Sequence, residues 1–156
     1  MAARVIDGKA VAAAVKERVE VDAAAFAEEF GRAPALATVL VGEDPASQVY
    51  IGGKRKASGE VGIRSVHHEL DAATRQEELE QLVRDLNADE GVDGILVQLP
   101  LPDHLDPDRV VQTIDPAKDV DGLTPVNAGL LAPGTPGLVS CTPVGVKIGR
   151  ASWRER

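Results

Sequence analysis

The sequence predicts an α/β fold: a three-layer βα domain with a mainly parallel sheet between helices. Stretches with helical apolar spacing alternate with short apolar runs of strand length. Those runs are continuous, as strands covered on both faces require. No hairpin signal joins one run to the next, which leaves parallel strands with helical crossovers.

The elements follow in order. Val11, Val15, Val19, Ala23, Phe26 and Phe30 recur at three- and four-residue intervals, so residues 9–30 form a helix with one apolar stripe, and Gly31 is placed to end it. Leu36-Ala-Thr-Val-Leu-Val41, after Pro34 and before Gly42, is the first strand. Asp44-Pro45 is a helix start, an N-cap acid followed by proline in the first turn, and this helix is expected to reach about Ser58. Residues 63–70 form a second, weaker strand. Thr74-Arg-Gln-Glu77 fits a capping box, with Leu79, Leu82, Val83 and Leu86 at helical spacing beyond it. Gly94-Ile-Leu-Val-Gln98 is the third strand, stopped by Pro100 and Pro102, and Asp106-Pro107 opens a short helix through Ile114. The Pro- and Gly-rich remainder is expected to wrap the domain as loop.

Composition narrows the function. Acidic residues outnumber basic ones 25 to 17, a net of -8, which disfavours nucleic acid as a partner. No apolar run approaches the roughly 18 residues of a membrane span, and the N-terminus reads as neither signal nor transit peptide, so a cytoplasmic location and no membrane partner are expected. A single cysteine, Cys141, leaves no internal disulfide, and with three histidines beside it a zinc site is not expected. The last ten residues carry a net of +3 and the lone Trp153, against -11 for the 146 before them. Residues 147–156 therefore read as foreign to the domain formed by residues 1–146.

Ligands of parallel sheets bind beyond the carboxyl ends of the strands, and three polar features fall there. Ser47, Tyr50 and Lys54 stand at i, i+3 and i+7, which puts a hydroxyl, a ring and an amine on one helical face. Gly52 and Gly53 interrupt the same helix at a cost of about 1 kcal/mol each, a cost that close approach by a ligand or another backbone would explain. The competing reading is a surface helix with a solvated basic end. Gln98 is the first polar residue after its strand and can orient a neighbouring charge or simply bond its own loop. Asp115-Pro-Ala-Lys-Asp-Val-Asp-Gly122 is either a turn or a segment with one carboxylate in a pocket; the spacing of a calcium loop is absent. His67, His68 and His104 lie at no triad spacing and read as surface residues. Neither a Gly-x-Gly-x-x-Gly after a strand nor a Walker A sequence occurs.

Tyr50-Ile-Gly-Gly-Lys54, Val97-Gln-Leu-Pro-Leu-Pro102, Pro116-Ala-Lys-Asp-Val-Asp-Gly122, Asn127-Ala-Gly-Leu130 and Cys141-Thr-Pro-Val-Gly145 occur in this order. With Ile6-Asp-Gly-Lys9 and Val41-Gly-Glu-Asp-Pro-Ala-Ser-Gln48, they make residues 5–146 resemble the methylenetetrahydrofolate dehydrogenase/cyclohydrolase family. Ser140, where the family usually has proline, and the segment from Lys147 to Arg156 depart from its pattern.

The resemblance implies a folate-binding catalytic domain, which in the family precedes a Rossmann domain holding NADP; no cofactor is expected on the present chain. Lys54 corresponds to the catalytic lysine, Gln98 to the amide that positions it, and Tyr50 to the ring packing on folate. Asp121 corresponds to the pterin-binding carboxylate, with Ser47 and Pro100 as further substrate-site residues. A lysine works as a general base near neutral pH only if its proton is made easier to lose, and Arg55 and Lys56 are its neighbours. From Pro45 to Arg64 the net charge is +3, enough to steer an anionic folate tail or merely to solvate a helix. The implied reactions are NADP-dependent oxidation of 5,10-methylenetetrahydrofolate and hydrolysis of the methenyl product to 10-formyltetrahydrofolate, a donor for purine biosynthesis. The 156 residues alone are expected to show negligible dehydrogenase and at most weak cyclohydrolase activity. A folate-binding fragment without turnover, or an α/β interaction scaffold, are the alternatives. Members of the family are usually homodimers, so tetrahydrofolate derivatives and a second copy are the expected partners.

Overall fold

The computed structural model describes residues 7–141; the segment 147–156, Ile6 and the Thr142–Gly145 part of the last motif lie outside the described residues. Three strands, β1 (Ala35–Val41), β2 (Arg64–Leu70) and β3 (Gly94–Val97), form a parallel sheet in the order β2-β1-β3. Val39 of β1 lies between His68 and Val97. The chain leaves β1 for one neighbour and returns on its other side, so the sheet has a switch point between β1 and β3.

Helix α1 (Gly8–Phe30) starts where Asp7 accepts the N–H groups of Lys9 (2.9 Å) and Ala10 (3.3 Å), and ends at Gly31 with φ 68°. Its stripe does not pack as expected: Ala23 alone is buried, while Val11 and Phe30 are 49% and 57% exposed. The helix is held instead at its flank, by Lys16 on Glu60 (2.5 Å) and by Arg32 stacked 5.3 Å from the centre of the Phe26 ring. Helix α2 (Pro45–Glu60) is capped by Asp44, which accepts Ser47 N–H at 2.8 Å, and runs two residues beyond Ser58.

Helix α3 (Gln76–Ala88) begins one residue later than Thr74 suggests. Glu78, not Glu77, reaches back to accept the Arg75 N–H (3.1 Å) and its guanidinium. His67 and His68 are half-buried in β2, not surface residues. Nδ1 of His67 pairs with the Thr38 hydroxyl at 3.0 Å, and Nε2 of His68 is buried without a partner among the described residues.

Helix α4 (Pro107–Thr113) opens at Asp106 as expected. The following stretch is more ordered than its composition suggests: Asp119 makes a parallel bridge with Ile95, and α5 (Pro125–Leu131) starts at Thr124. Thr124-Pro125 is the same cap-plus-proline signal as at 44–45 and 106–107. The main core lies between the sheet and α3 with α4, where Val39, Leu79, Val83, Ile95 and Val110 are fully buried.

Candidate active site

Two of the sequence-derived residues are in direct contact. Lys54, half-buried near the middle of α2, donates from Nζ to Oε1 of Gln98 at 3.2 Å. Gln98 sits just past β3, where its backbone N–H still bonds Val39 O (2.9 Å) and its Nε2 donates to Leu99 O (2.6 Å). The second bond uses the amide's donor side on its own loop and leaves its oxygen facing the lysine. The two residues meet at the switch point, because α2 follows the central strand and Gln98 ends the neighbouring one.

Asp121 completes the group. It is half-buried and makes no side-chain hydrogen bond among the described residues. Burial, and then repulsion from Asp119, push its carboxyl above the ordinary range despite the pull of the Lys54 charge. The backbone that carries it is fixed on both sides. A Cβ on Gly94 would lie 2.5 Å from Cγ1 of Val120, and one on Gly122, at φ 63°, would lie 2.6 Å from Leu138 O.

The remaining residues stand apart from this contact. Tyr50, one turn before Lys54, is 66% exposed. Pro100 is exposed beyond Gln98, joined to Leu99 by a cis peptide bond. Ser47 is buried under the first turn of α2 rather than sharing an open face with Tyr50 and Lys54. At Gly52 and Gly53 nothing among the described residues comes within 4 Å of a would-be Cβ, so no backbone approach among them explains these glycines.

Sequence reasoning missed two groups. Lys118 donates to the carbonyls of Leu86 (3.1 Å), Asn87 (2.8 Å) and Asp89 (2.8 Å), tying the site loop to the end of α3. Asp119 is buried and accepts from Thr124 N–H (2.8 Å) and Asn127 Nδ2 (3.0 Å). The lysine three residues after Asp115, and the Thr124 and Asn127 donors that follow the acid, were the available signals.

A dinucleotide does not fit the turn after β1. In an α/β sheet the pyrophosphate sits at a helix N-terminus, with its charge met by free N–H groups. Here the Asp44 carboxylate already occupies the start of α2 and holds the Ser47 N–H. The adjoining hollow, about 440 Å³, is lined by Glu43, Glu69 and Asp71 with Gly42, Leu70 and Ala72, and its charge repels phosphate. It contains none of the residues around Lys54.

A parallel sheet with a polar contact at its switch point is the arrangement in which α/β domains place ligand sites at their strand ends. The chain belongs to the tetrahydrofolate dehydrogenase/cyclohydrolase family, whose catalytic domain is matched by residues 6–121, a span that includes Tyr50, Lys54, Gln98, Pro100 and Asp121. It is 61% identical over 143 residues to the bifunctional protein FolD of Sphingopyxis alaskensis, covering 92% of this chain and 47% of that one. Among solved structures, the FolD methylenetetrahydrofolate dehydrogenase/cyclohydrolase of Campylobacter jejuni superposes with a TM-score of 0.88 at 43% identity, over 95% of this chain and 52% of that one. The Trypanosoma brucei dehydrogenase-cyclohydrolase, complexed with NADP cofactor and inhibitor, gives 0.88 at 41% identity, over 96% and 52%. The chain thus spans about half the length of the curated relatives it matches.

Proposed function

We propose that this chain is the folate-binding catalytic domain of a bifunctional one-carbon enzyme. The whole enzyme oxidises 5,10-methylenetetrahydrofolate with NADP and hydrolyses the methenyl product to 10-formyltetrahydrofolate, which supplies purine biosynthesis in the cytoplasm. The domain occupies residues 1–146, with 147–156 foreign to it. The reading rests on one observation above all, the Lys54–Gln98 contact of 3.2 Å at the switch point.

The chemistry assigned to the site is hydrolytic. Water adds through oxygen to the bridging methenyl carbon, and the Lys54 amine takes its proton as general base. The carbon–N5 bond then breaks, the adduct hydroxyl gives up its proton, N5 gains one, and the formyl group remains on N10. Gln98 holds the amine in register, and a fixed amide does this without titrating. Asp121 accepts the pterin amino and ring N–H groups, which fixes substrate orientation. Tyr50 offers an unoccupied ring face for the pterin, Pro100 borders the same mouth, and Ser47 supports the start of α2. NADP would supply the hydride acceptor for the first reaction, but its phosphates do not fit the turn after β1. No residue of this chain is therefore assigned to it.

The assay is loss of methenyltetrahydrofolate absorbance, run beside a binding titration with the same compound. Weak hydrolysis that is lost in Lys54→Ala with binding retained supports the enzyme. Binding without turnover points to a binding fragment, and neither effect points to a scaffold. Robust NADP reduction by the 156-residue chain would contradict the assignment of hydrolysis alone to these residues.

A further inference from the structure

We infer that Asp119 is the positioning residue for Asp121: its buried carboxylate ties the 119–127 turn together and thereby fixes where Asp121 stands, an inference that rests on the folate-site reading above. Asp119 is 1% exposed and belongs to none of the roles assigned so far. A carboxylate this deep persists only when its oxygens are paired. The partners are Thr124 N–H at 2.8 Å and Asn127 Nδ2 at 3.0 Å, both from the start of α5. Asn127 also donates to Pro116 O at 2.9 Å, so one side chain joins the two ends of the loop around the acid.

The backbone on either side leaves the loop no other place. Ile95 N–H bonds Lys118 O at 2.7 Å, which lays Lys118 and Asp119 along β3. Gly122 N–H returns to Asp119 O at 3.2 Å, and Val120 fills the space that the missing Gly94 side chain leaves. Lys118 and Asp119 are therefore bound by their side chains, Val120 by packing and Gly122 by its turn. Asp121 is the one polar residue of this run whose side chain is free of hydrogen bonds to the described residues, and its carboxyl feels the Lys54 charge. Burial raises the Asp119 carboxyl, but the hydrogen bonds from Thr124 and Asn127 outweigh it and hold the group ionised. Asp119 thus contributes a fixed negative charge behind Asp121 as well as a tether.

Asp119→Asn tests this with little change of volume. Thr124 N–H and Asn127 Nδ2 both bond Oδ2, so the amide oxygen can keep the two donors, but the charge that strengthens these bonds is lost. Two readouts are compared in the 156-residue chain. In the first, the carboxyl of Asp121 is titrated by carbon-detected NMR without ligand. Relieved of the Asp119 charge, and with a weaker tether holding its half-buried seat, its midpoint should fall toward the ordinary carboxylate value; an unchanged midpoint in a folded Asp119→Asn protein overturns the inference. In the second, methenyltetrahydrofolate is titrated. Binding should weaken about ten- to a hundredfold, the usual effect of losing charge-assisted hydrogen bonds. The double variant Asp119→Asn/Asp121→Asn should then bind no worse than Asp121→Asn alone, because the first residue acts through the second. Additive losses would show that Asp119 supports the fold generally and would refute the positioning role. If Asp119→Asn does not fold, Asn127→Ala removes one donor and leaves the acid in place; it should move both readouts the same way by less, and no movement counts against the inference. If the wild-type chain does not bind the compound at all, the folate reading fails, and the ligand-free titration still decides whether Asp119 sets Asp121.

Discussion

Gly94→Ala is the sharpest probe of how the fold carries the site. The new Cβ would lie 2.5 Å from Val120 Cγ1 and 3.5 Å from Leu36 Cδ1. Carbon atoms in contact prefer about 3.5–4.0 Å, so the Val120 contact must open by roughly 1 Å. Valine cannot swing away cheaply, since its two γ-methyls restrict χ1. Nor can its backbone retreat freely, because Lys118 O is bonded to Ile95 N–H at 2.7 Å and Asp119 is held by α5. Overpacking of this kind costs about 1–3 kcal/mol. For a chain of this size that corresponds to a fall of about 2–12 °C in Tm. Thermal and urea unfolding followed by circular dichroism measure it. Val120→Ala in the same protein removes the offending methyl, so the double variant should recover a large part of the loss. Wild-type stability in Gly94→Ala, or no recovery in the double variant, would refute the claim that Val120 is pressed against β3.

Three other outcomes are expected. Asp121→Asn should be more stable than wild type at neutral pH while binding methenyltetrahydrofolate less tightly. A carboxyl raised in the fold favours the folded state below its unfolded pKa and loses that contribution as pH rises through the folded value, so the gain should vanish near pH 3 in unfolding titrations. Asp93 behaves oppositely: the Arg32 hydrogen bonds hold it below the ordinary carboxylate range, so its contribution is full above the unfolded value of about 3.9 and is lost as pH falls through the folded one. Asp93→Asn should flatten that part of the acid limb of the stability profile. Leu79→Ala, at a fully buried position of α3, should cost about 2–5 kcal/mol by chemical denaturation, and a loss under 1 kcal/mol would argue against its place in the core.

What could be read in the chain was mostly local. Asp7, Asp44 and Asp106 cap helices through bonds that close within three residues, and Gly31 ends α1 by a conformation it adopts without strain. Such signals need no tertiary context. Thr124-Pro125 was equally local and went unread because glycines and prolines crowd the sequence around it. The burial of α1 could not be read, since a stripe of valines shows which face is apolar but not whether anything covers it. Asp119 and Asp121 are the same residue type two positions apart, and only the donors of Thr124 and Asn127, which arrive later in the chain, separate a buried tether from a half-buried acid. The pairing of Lys54 with Gln98 crosses the sheet, so neither residue's neighbours announce it. It was legible only through the motifs that resemble the family.

The three groups of the crevice come from α2, from the end of β3 and from the loop bridged to β3, and that has a consequence for how the site forms. Lys54 and Gln98 can meet only once β1 has paired with β3, because α2 hangs from the first of these strands and Gln98 from the second. Contacts so distant along the chain close late in folding, after most of their entropy cost has been met. A ligand gripped by amine, amide and acid together recognises only the paired strands, so its stabilising effect reports their assembly.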